Sequence, residues 1–333
     1  MKEKPRSAGK FKDTIDDEKG SCKMRNKFDG ILLLGYGGPE KPEDIRPFLE
    51  LVAEGRPIPK ERLDEVAHHY ELIGGRSPIN EYTYKQAKGL ENKLAGSGIK
   101  IPVFVGMRNW HPFIPDTIKE MAARGVKKAI GMIMAAHQCE ASWERYETDV
   151  VEAMAETGVV IEFEYTAPLF KHPLFIEDLA DRAAECFDEI PAEERKDTMI
   201  LFSAHSVPVP MAESSPYVEQ LTTTARLIAE RLKHDRWRLV YQSRSGRPQD
   251  PWLEPDVCDV IREIADEGVR YTIVQPIGFL CDHVEVLFDI GIEAKEAAEG
   301  AGIKLLRART VNDDPKFIDA MADAVEKLIF GFD

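Results

Sequence analysis

Seven stretches of the chain are dominated by apolar residues without alternation: DGILLLGYGGPE, IPVFVGMRNWHPF, VKKAIGMIMAAHQ, VVIEFEYTAPLF, TMILFSAHSVP, RWRLVYQSRSG and VRYTIVQPIGF. Unbroken apolar runs of this kind predict strands buried on both faces of a parallel sheet. Between them the apolar positions return at helical spacing. This predicts helices over PEDIRPFLELVAEG, NEYTYKQAKGLENKLAGSG, PDTIKEMAARG, EASWERYETDVVEAMAETG, FIEDLADRAAECFDEI, PYVEQLTTTARLIAERLKH, LEPDVCDVIREIADEG and DHVEVLFDIGIEAKEAAEGAG. A last helix, DPKFIDAMADAVEKLIF, opens on Asp314 and Pro315, a cap followed by a first-turn proline. Strand and helix alternate, as they do in α/β folds with parallel sheets.

The pattern repeats. ILLLGYGGP (31–39) lies over ILFSAHSVP (200–208), placing Tyr36 on His205. GMRNWHP (106–112) lies over QSRSGRP (242–248), placing Arg108 on Arg244 and Pro112 on Pro248. Residues 120–146 lie over 263–289, placing Gly125 on Gly268, Ser142 on Glu285 and Tyr146 on Asp289. The expected architecture is two Rossmann-like domains, each a parallel sheet flanked by helices, with a ligand cleft between them. The expected divisions are a charged tail over 1–28, domains over 29–163 and 164–312, and a helix over 313–333 that packs back on the body. Ligands of open parallel sheets bind beyond the carboxyl ends of the strands. Tyr36, Arg108, Asn109, His137, His205, Arg244 and the segment from Asp282 to Glu285 all follow strands directly.

Composition narrows the class. The chain has 333 residues, 43% of them hydrophobic and 31% charged, with a net charge of −15. An acidic balance disfavours nucleic-acid binding. No apolar run approaches the roughly 20 residues of a membrane span, and the charged start has no apolar signal core. The five cysteines, at 22, 139, 186, 258 and 281, show no C-x-x-C spacing. A reduced, cytoplasmic setting is expected.

Two segments carry the candidate chemistry. In Ser203-Ala-His205-Ser-Val-Pro, a histidine stands at a strand end among small residues. Neutral imidazole there is a proton acceptor and a ligand for borderline metals such as Fe²⁺, or else a loop histidine bonding its own backbone. A serine hydrolase would need a G-x-S-x-G elbow, and none is present. In the second segment Glu285, Asp289 and Glu293 fall at i, i+4 and i+8, one acidic line on a helix. Such a line suits a hydrated divalent cation. The alternative is a capping box, with Asp282 as N-cap and Glu285 turned back to close it. On a regular helix His283 points away from Glu285 and is not expected to be a ligand. The glycine loop Gly35-Tyr-Gly-Gly-Pro39 permits close approach to a flat ligand, or is an ordinary turn. Arg46, Arg56, Arg76, Arg108, Arg244 and Arg247 offer local positive charge for ligand carboxylates, or are surface arginines.

Taken in order, GYGGPEKPEDI, YELIGGRSPIN, GMRNWHPF, LFSAHSVP, YQSRSG and PIGFLCDHVEVLFD resemble the ferrochelatases, over about residues 30–330. The resemblance implies two Rossmann-like domains with a porphyrin in the cleft and ferrous iron as the second substrate. It implies that His205 and Glu285 form the metal-site pair, with Asp289 and Glu293 guiding or holding a hydrated cation. It implies porphyrin contacts at Tyr36, His69, Tyr70, Ser77 and Tyr146. Tyr36, together with a short segment before YELIGG that lacks an apolar lip, is similar to the branch that metallates coproporphyrin III. In that branch the tyrosine ligates product iron from the face opposite the histidine. Ala53 and His69 stand where that branch often has arginines facing propionates, and Asn109 replaces a histidine seen in some members. Some relatives hold an iron–sulfur cluster. Here Trp143 takes the first such position and no cysteine follows Cys281, so no resident cofactor is expected. Protoporphyrin IX as substrate, a cobalt or nickel chelatase of a related tetrapyrrole, and a non-catalytic haem or porphyrin carrier are the alternatives.

Overall fold

A computed structural model describes residues 27–55, 58–246 and 249–331. The first half runs β1 (Gly30–Gly35), α1 (Pro42–Ala53), α2 (Lys60–Leu72), α3 (Ile79–Gly96), β2 (Val103–Met107), α4 (Ile114–Ala123), β3 (Lys128–Ile133), α5 (Glu144–Thr157) and β4 (Glu162–Tyr165). The second runs α6 (Pro173–Asp188), β5 (Met199–His205), α7 (Val209–Glu213), α8 (Tyr217–Leu232), β6 (Trp237–Gln242), α9 (Val257–Asp266) and β7 (Tyr271–Pro276). It continues through α10 (Val284–Leu287), a π-helical turn (Asp289–Ala294), α11 (Lys295–Gly300), β8 (Lys304–Arg307) and α12 (Pro315–Phe330).

Each half builds one parallel sheet of four strands, ordered β2-β1-β3-β4 and β6-β5-β7-β8. The order is the same in both, as the internal repeat implied. The registers agree too. Ile31 lies opposite Ile130 in the first sheet, and their repeat counterparts Ile200 and Ile273 lie opposite each other in the second. The match slips at the outer strand. Ile31 faces Val103, whose counterpart by the repeat is Leu239, yet Ile200 faces Trp237.

The central strands are mainly apolar and buried. Ile31 to Leu34 and Ile200 to Phe202 are fully buried, each worth roughly 1.5–3 kcal/mol of burial. One apolar cluster crosses from half to half, joining Leu33, Leu90 and Met107 to Phe202, Leu221 and Phe317. Helix α12 lies in this seam, packed on α3 of the first half and on α6 of the second.

The structure corrects several expected boundaries. Residues 1–26 of the expected tail lie outside the described residues, while Phe28 is buried in the core. β4 ends at Tyr165, so the division at 163/164 falls inside a strand. Three elements were missed: α2, β8 and the five-residue α7 (Val209–Glu213). Helix α2 buries only Tyr70, and β8 is a four-residue edge strand with Lys304 and Arg307 at its ends. The expected helix from Asp282 to Gly302 is broken in three. α10 starts at Val284, a π-helical turn follows, and α11 completes it.

Candidate active site

The carboxyl ends of the strands supply the site. His205 is the last residue of β5, and Tyr36 is the residue after β1. The loop after β7 reaches Glu285 in the first turn of α10. That loop passes so close to β5 that a Cβ on Gly278 would sit 2.8 Å from the Ala204 Cβ.

His205 Nε2 stands 3.7 Å from a Glu285 carboxylate oxygen, and both side chains are about one-third exposed, at 32% and 31%. The other ring nitrogen of His205 meets the Ser206 carbonyl oxygen. A carbonyl can only accept, so Nδ1 carries a hydrogen there, and Nε2 faces the Glu285 side. The backbone beneath is fixed as well, because the Tyr217 hydroxyl donates to the His205 carbonyl at 3.1 Å.

His283 is the residue that the helical rule misplaced. It is the N-cap of α10, with extended φ and ψ of −155° and −173°, so the two-residue helical offset does not apply. Its Nε2 approaches Glu285 to 3.8 Å, and its Nδ1 lies 3.1 Å from the Cys281 carbonyl. Burial, the largest single cause, disfavours the charged imidazole, but Glu285, the Cys281 carbonyl and Asp282 together outweigh it and raise the His283 pKa. Burial likewise opposes ionisation of Glu285. The neighbouring His205 and the His283 hydrogen bond win, and the carboxyl is held down at about 2. The spacing Asp-His-x-Glu directly after a strand was the signal available for His283.

Asp282 is not the N-cap, and the capping-box reading fails with it. Its Oδ1 accepts from the Thr310 backbone N–H at 3.2 Å, the Thr310 hydroxyl at 3.0 Å and Arg307 at 3.2 Å. Its own N–H donates to Asn312 Oδ1 at 2.8 Å. On the other side, the Gln242 side-chain amide donates to the Glu285 carbonyl, and Ser243 donates to Asp289. Burial, and secondarily the charges of Glu285 and Glu293, push Asp289 up to about 7 against that bond. Glu293 is exposed on the π-helical turn, so the acidic line is not the regular helical one expected. Among the described residues no group of three or more His, Cys, Asp or Glu closes into a metal-holding cluster.

The facing wall belongs to the first half. Tyr36, Phe48, Tyr70 and Trp110 form an edge-to-face aromatic group around Phe48, with ring centroids 6.0–6.5 Å apart. Val284 packs against the same cluster, bringing the two walls together. Tyr70 feels both Tyr36 and Glu285, although burial is the main cause raising its pKa. Tyr146 and Ser77 are buried; Arg108 lies over the Tyr146 ring at 5.7 Å and pairs with Asp149 at 3.2 Å. His69 stacks on Phe288 across the mouth, with centroids 3.6 Å apart and planes at 12°.

Other expected groups have local duties. Arg46 pairs with Asp64, Arg76 with Glu81 at 3.5 Å, and Arg244 donates to the Asp250 carbonyl at 2.9 Å. Arg56, Arg247 and Pro248 lie outside the described residues. His137 does not reach the cleft. It is buried between the halves, 2.9 Å from Thr224 Oγ1, with its pKa driven down to about 3 by burial. Two recesses of about 390 and 260 Å³ lie on the second half away from His205, beside Lys304 and beside Arg236.

The family model described as Ferrochelatase matches residues 28–328. A coproporphyrin III ferrochelatase of Mycolicibacterium smegmatis is 40% identical, over 91% of this chain and 91% of its own. One from Streptomyces coelicolor is 39% identical over 90% and 84%, and a ferrochelatase of Rhodopirellula baltica is 38% identical over 90% and 86%. Among solved structures, SirB from Bacillus subtilis with Fe³⁺ superposes with a TM-score of 0.54. It covers 91% of this chain and 96% of its own at 13% identity, which speaks to the fold alone.

Proposed function

The chain belongs to the ferrochelatase family, enzymes of haem synthesis that insert iron into a porphyrin, and we propose that coproporphyrin III is its porphyrin and His205 and Glu285 its metal-handling pair. The porphyrin's identity is supported by the names of several relatives that match along nine-tenths of the chain. The observation that carries the site is the 3.7 Å approach of His205 Nε2 to Glu285 at the strand ends, opposite the Tyr36 wall.

Two pyrrole N–H protons leave as Fe²⁺ sheds water and takes four ring nitrogens. The ring supplies most of the ligands, so a protein pair suffices where a resident metal site would need three or more groups. With Nδ1–H tied to the Ser206 carbonyl, His205 offers its Nε2 lone pair to one proton or to the metal, and whatever proton it does not take leaves to water in the cleft, which reaches both side chains. Glu285, ionised at neutral pH, offsets the charge of the incoming cation, and His283 holds it in place. A bent ring exposes its nitrogen lone pairs, so a cleft that grips a puckered porphyrin binds the transition state better than the flat ring. Asp289 and Glu293 stand along the route of the hydrated cation. Tyr36, Tyr70, Ser77, Tyr146 and His69 contact the ring. No cofactor beyond the two substrates takes part. We place the reaction in the cytoplasm. The four described cysteines are unpaired, and among the described residues no helix is long and apolar enough to cross a membrane.

His205→Ala removes the acceptor and abolishes iron insertion while porphyrin binding, read by fluorescence quenching, persists. Near-normal turnover in that variant overturns the assignment. Initial rates of the wild type favour coproporphyrin III over protoporphyrin IX at least tenfold in kcat/KM, and the reverse preference overturns the substrate.

A further inference from the structure

Helix α3 touches neither substrate in the reading above, yet its buried polar residues reach both walls of the cleft. Near its start, Asn80 is 1% exposed. Its Oδ1 accepts the Gly38 N–H at 3.0 Å, and its Nδ2 donates to the Gly38 carbonyl at 3.1 Å and to Glu40 at 3.1 Å. Asn80 therefore grips the glycine loop that carries Tyr36. Gly37 in that loop has φ +83°, with Trp110 and Met107 closing on it, so the turn leaves little freedom.

Six residues on, about 9 Å along the helix axis, Gln86 is also 1% exposed. Its side-chain amide crosses into the second half. It donates to the Leu280 carbonyl at 3.2 Å and to the Asn312 carbonyl at 2.7 Å. Those two carbonyls belong to different loops, one entering α10 and one leaving β8. Asn312 passes the restraint on, because its Oδ1 accepts the Asp282 N–H at 2.8 Å. Asp282 immediately precedes His283, the partner of Glu285. One side chain of the first half thus fixes the loop that aims the Glu285 pair of the second.

We propose that α3 is a strut that sets the separation of the two cleft walls, with Gln86 the positioning residue through which it holds Glu285. This rests on the assignment of Glu285 to metal handling. Two buried carbonyls of the second half depend on this amide, so its loss leaves them without that donor. The loop then relaxes and Glu285 leaves the geometry in which His205 and His283 meet it.

The test is a double-mutant cycle on the full-length chain, with coproporphyrin III and Fe²⁺ as substrates. Gln86→Met keeps length and removes the donor. It lowers kcat by roughly tenfold or more, a factor typical of misplaced reacting groups, while the KM for porphyrin changes less than threefold. In a Glu285→Gln background the same substitution changes the residual kcat less than twofold, because Gln86 acts through Glu285. Equal losses in both backgrounds, or a kcat within twofold of wild type in the single variant, overturn the proposal. Glu285→Gln that itself leaves kcat unchanged sinks the reading of the site instead. Should Gln86→Met fail to fold, Gln86→Glu decides. Protonated, its carboxyl donates one of the two bonds, and ionised it faces two carbonyl oxygens. Its kcat relative to wild type therefore falls as pH rises, and a constant ratio overturns the proposal.

Discussion

Gly278 separates the strand that ends in His205 from the loop that leads to Glu285. An added Cβ would lie 2.8 Å from the Ala204 Cβ and 2.9 Å from its Cα, and a strand backbone cannot give way as a side chain tip does. Gly278→Ala therefore destabilises by about 1–3 kcal/mol, the usual cost of overpacking. It also displaces His205 relative to Glu285, so kcat falls further than the melting temperature alone explains. Urea unfolding beside steady-state kinetics measures both, and a variant with wild-type stability and turnover contradicts the close packing. At this scale the sequence was legible in placement, with His205 and Tyr36 at strand ends and Glu285 near His205. It was not legible at His283. The rule that residues two apart diverge holds on a helix, and His283 sits in an extended conformation just before one. Nor was Gln86 visible, since a glutamine on a helix gains its role only from carbonyls about two hundred residues away.

Helices α6 and α12 meet through charge. Asp178 on α6 is fully buried, with Arg182 3.2 Å away, and Arg182 also reaches Asp314 at 3.3 Å and Glu185 at 2.8 Å. Burial, then Asp314 and Asp181, push the Asp178 pKa up to about 7 against Arg182 and Lys316. The folded protein thus binds a proton there that the unfolded chain releases near pH 4. Stability falls as pH rises from about 4 to 7 and is level above that. Asp178→Asn removes this slope and melts higher than wild type at pH 8, by roughly 2–4 °C for each kcal/mol recovered. Calorimetry across pH 5 to 8 checks it, and parallel curves for the two proteins reject it. Arg182 keeps Asp314 and Glu185, so the substitution strands no cation. Elements with strong apolar periods were all legible. Helix α2 and strand β8 were not, because one buries a single tyrosine and the other lies at a sheet edge with charged ends. The π-helical turn was also hidden, since its extra residue leaves no mark in the apolar pattern.

The whole molecule is two copies of one strand order joined by a shared core, and the repeat in the sequence made that much legible. What the repeat could not reveal is how the copies are held, with α12 packed on α3 of the first half and on α6 of the second. Phe317 on α12 is fully buried, 6.0 Å from the ring of Phe175 on α6. Phe317→Ala costs about 3–5 kcal/mol and loosens both halves at once, so unfolding stays a single transition at lower denaturant. Two separated transitions would show instead that the halves are independent. Helix α12 has a further bearing on how the enzyme is made. It follows every strand, so a ribosome has already released both sheets before the segment that wedges them together emerges. Domains fold as units during synthesis, the earlier one first. The contacts of residues 315–330 with α3 and α6 therefore form last, after both sheets have been synthesised.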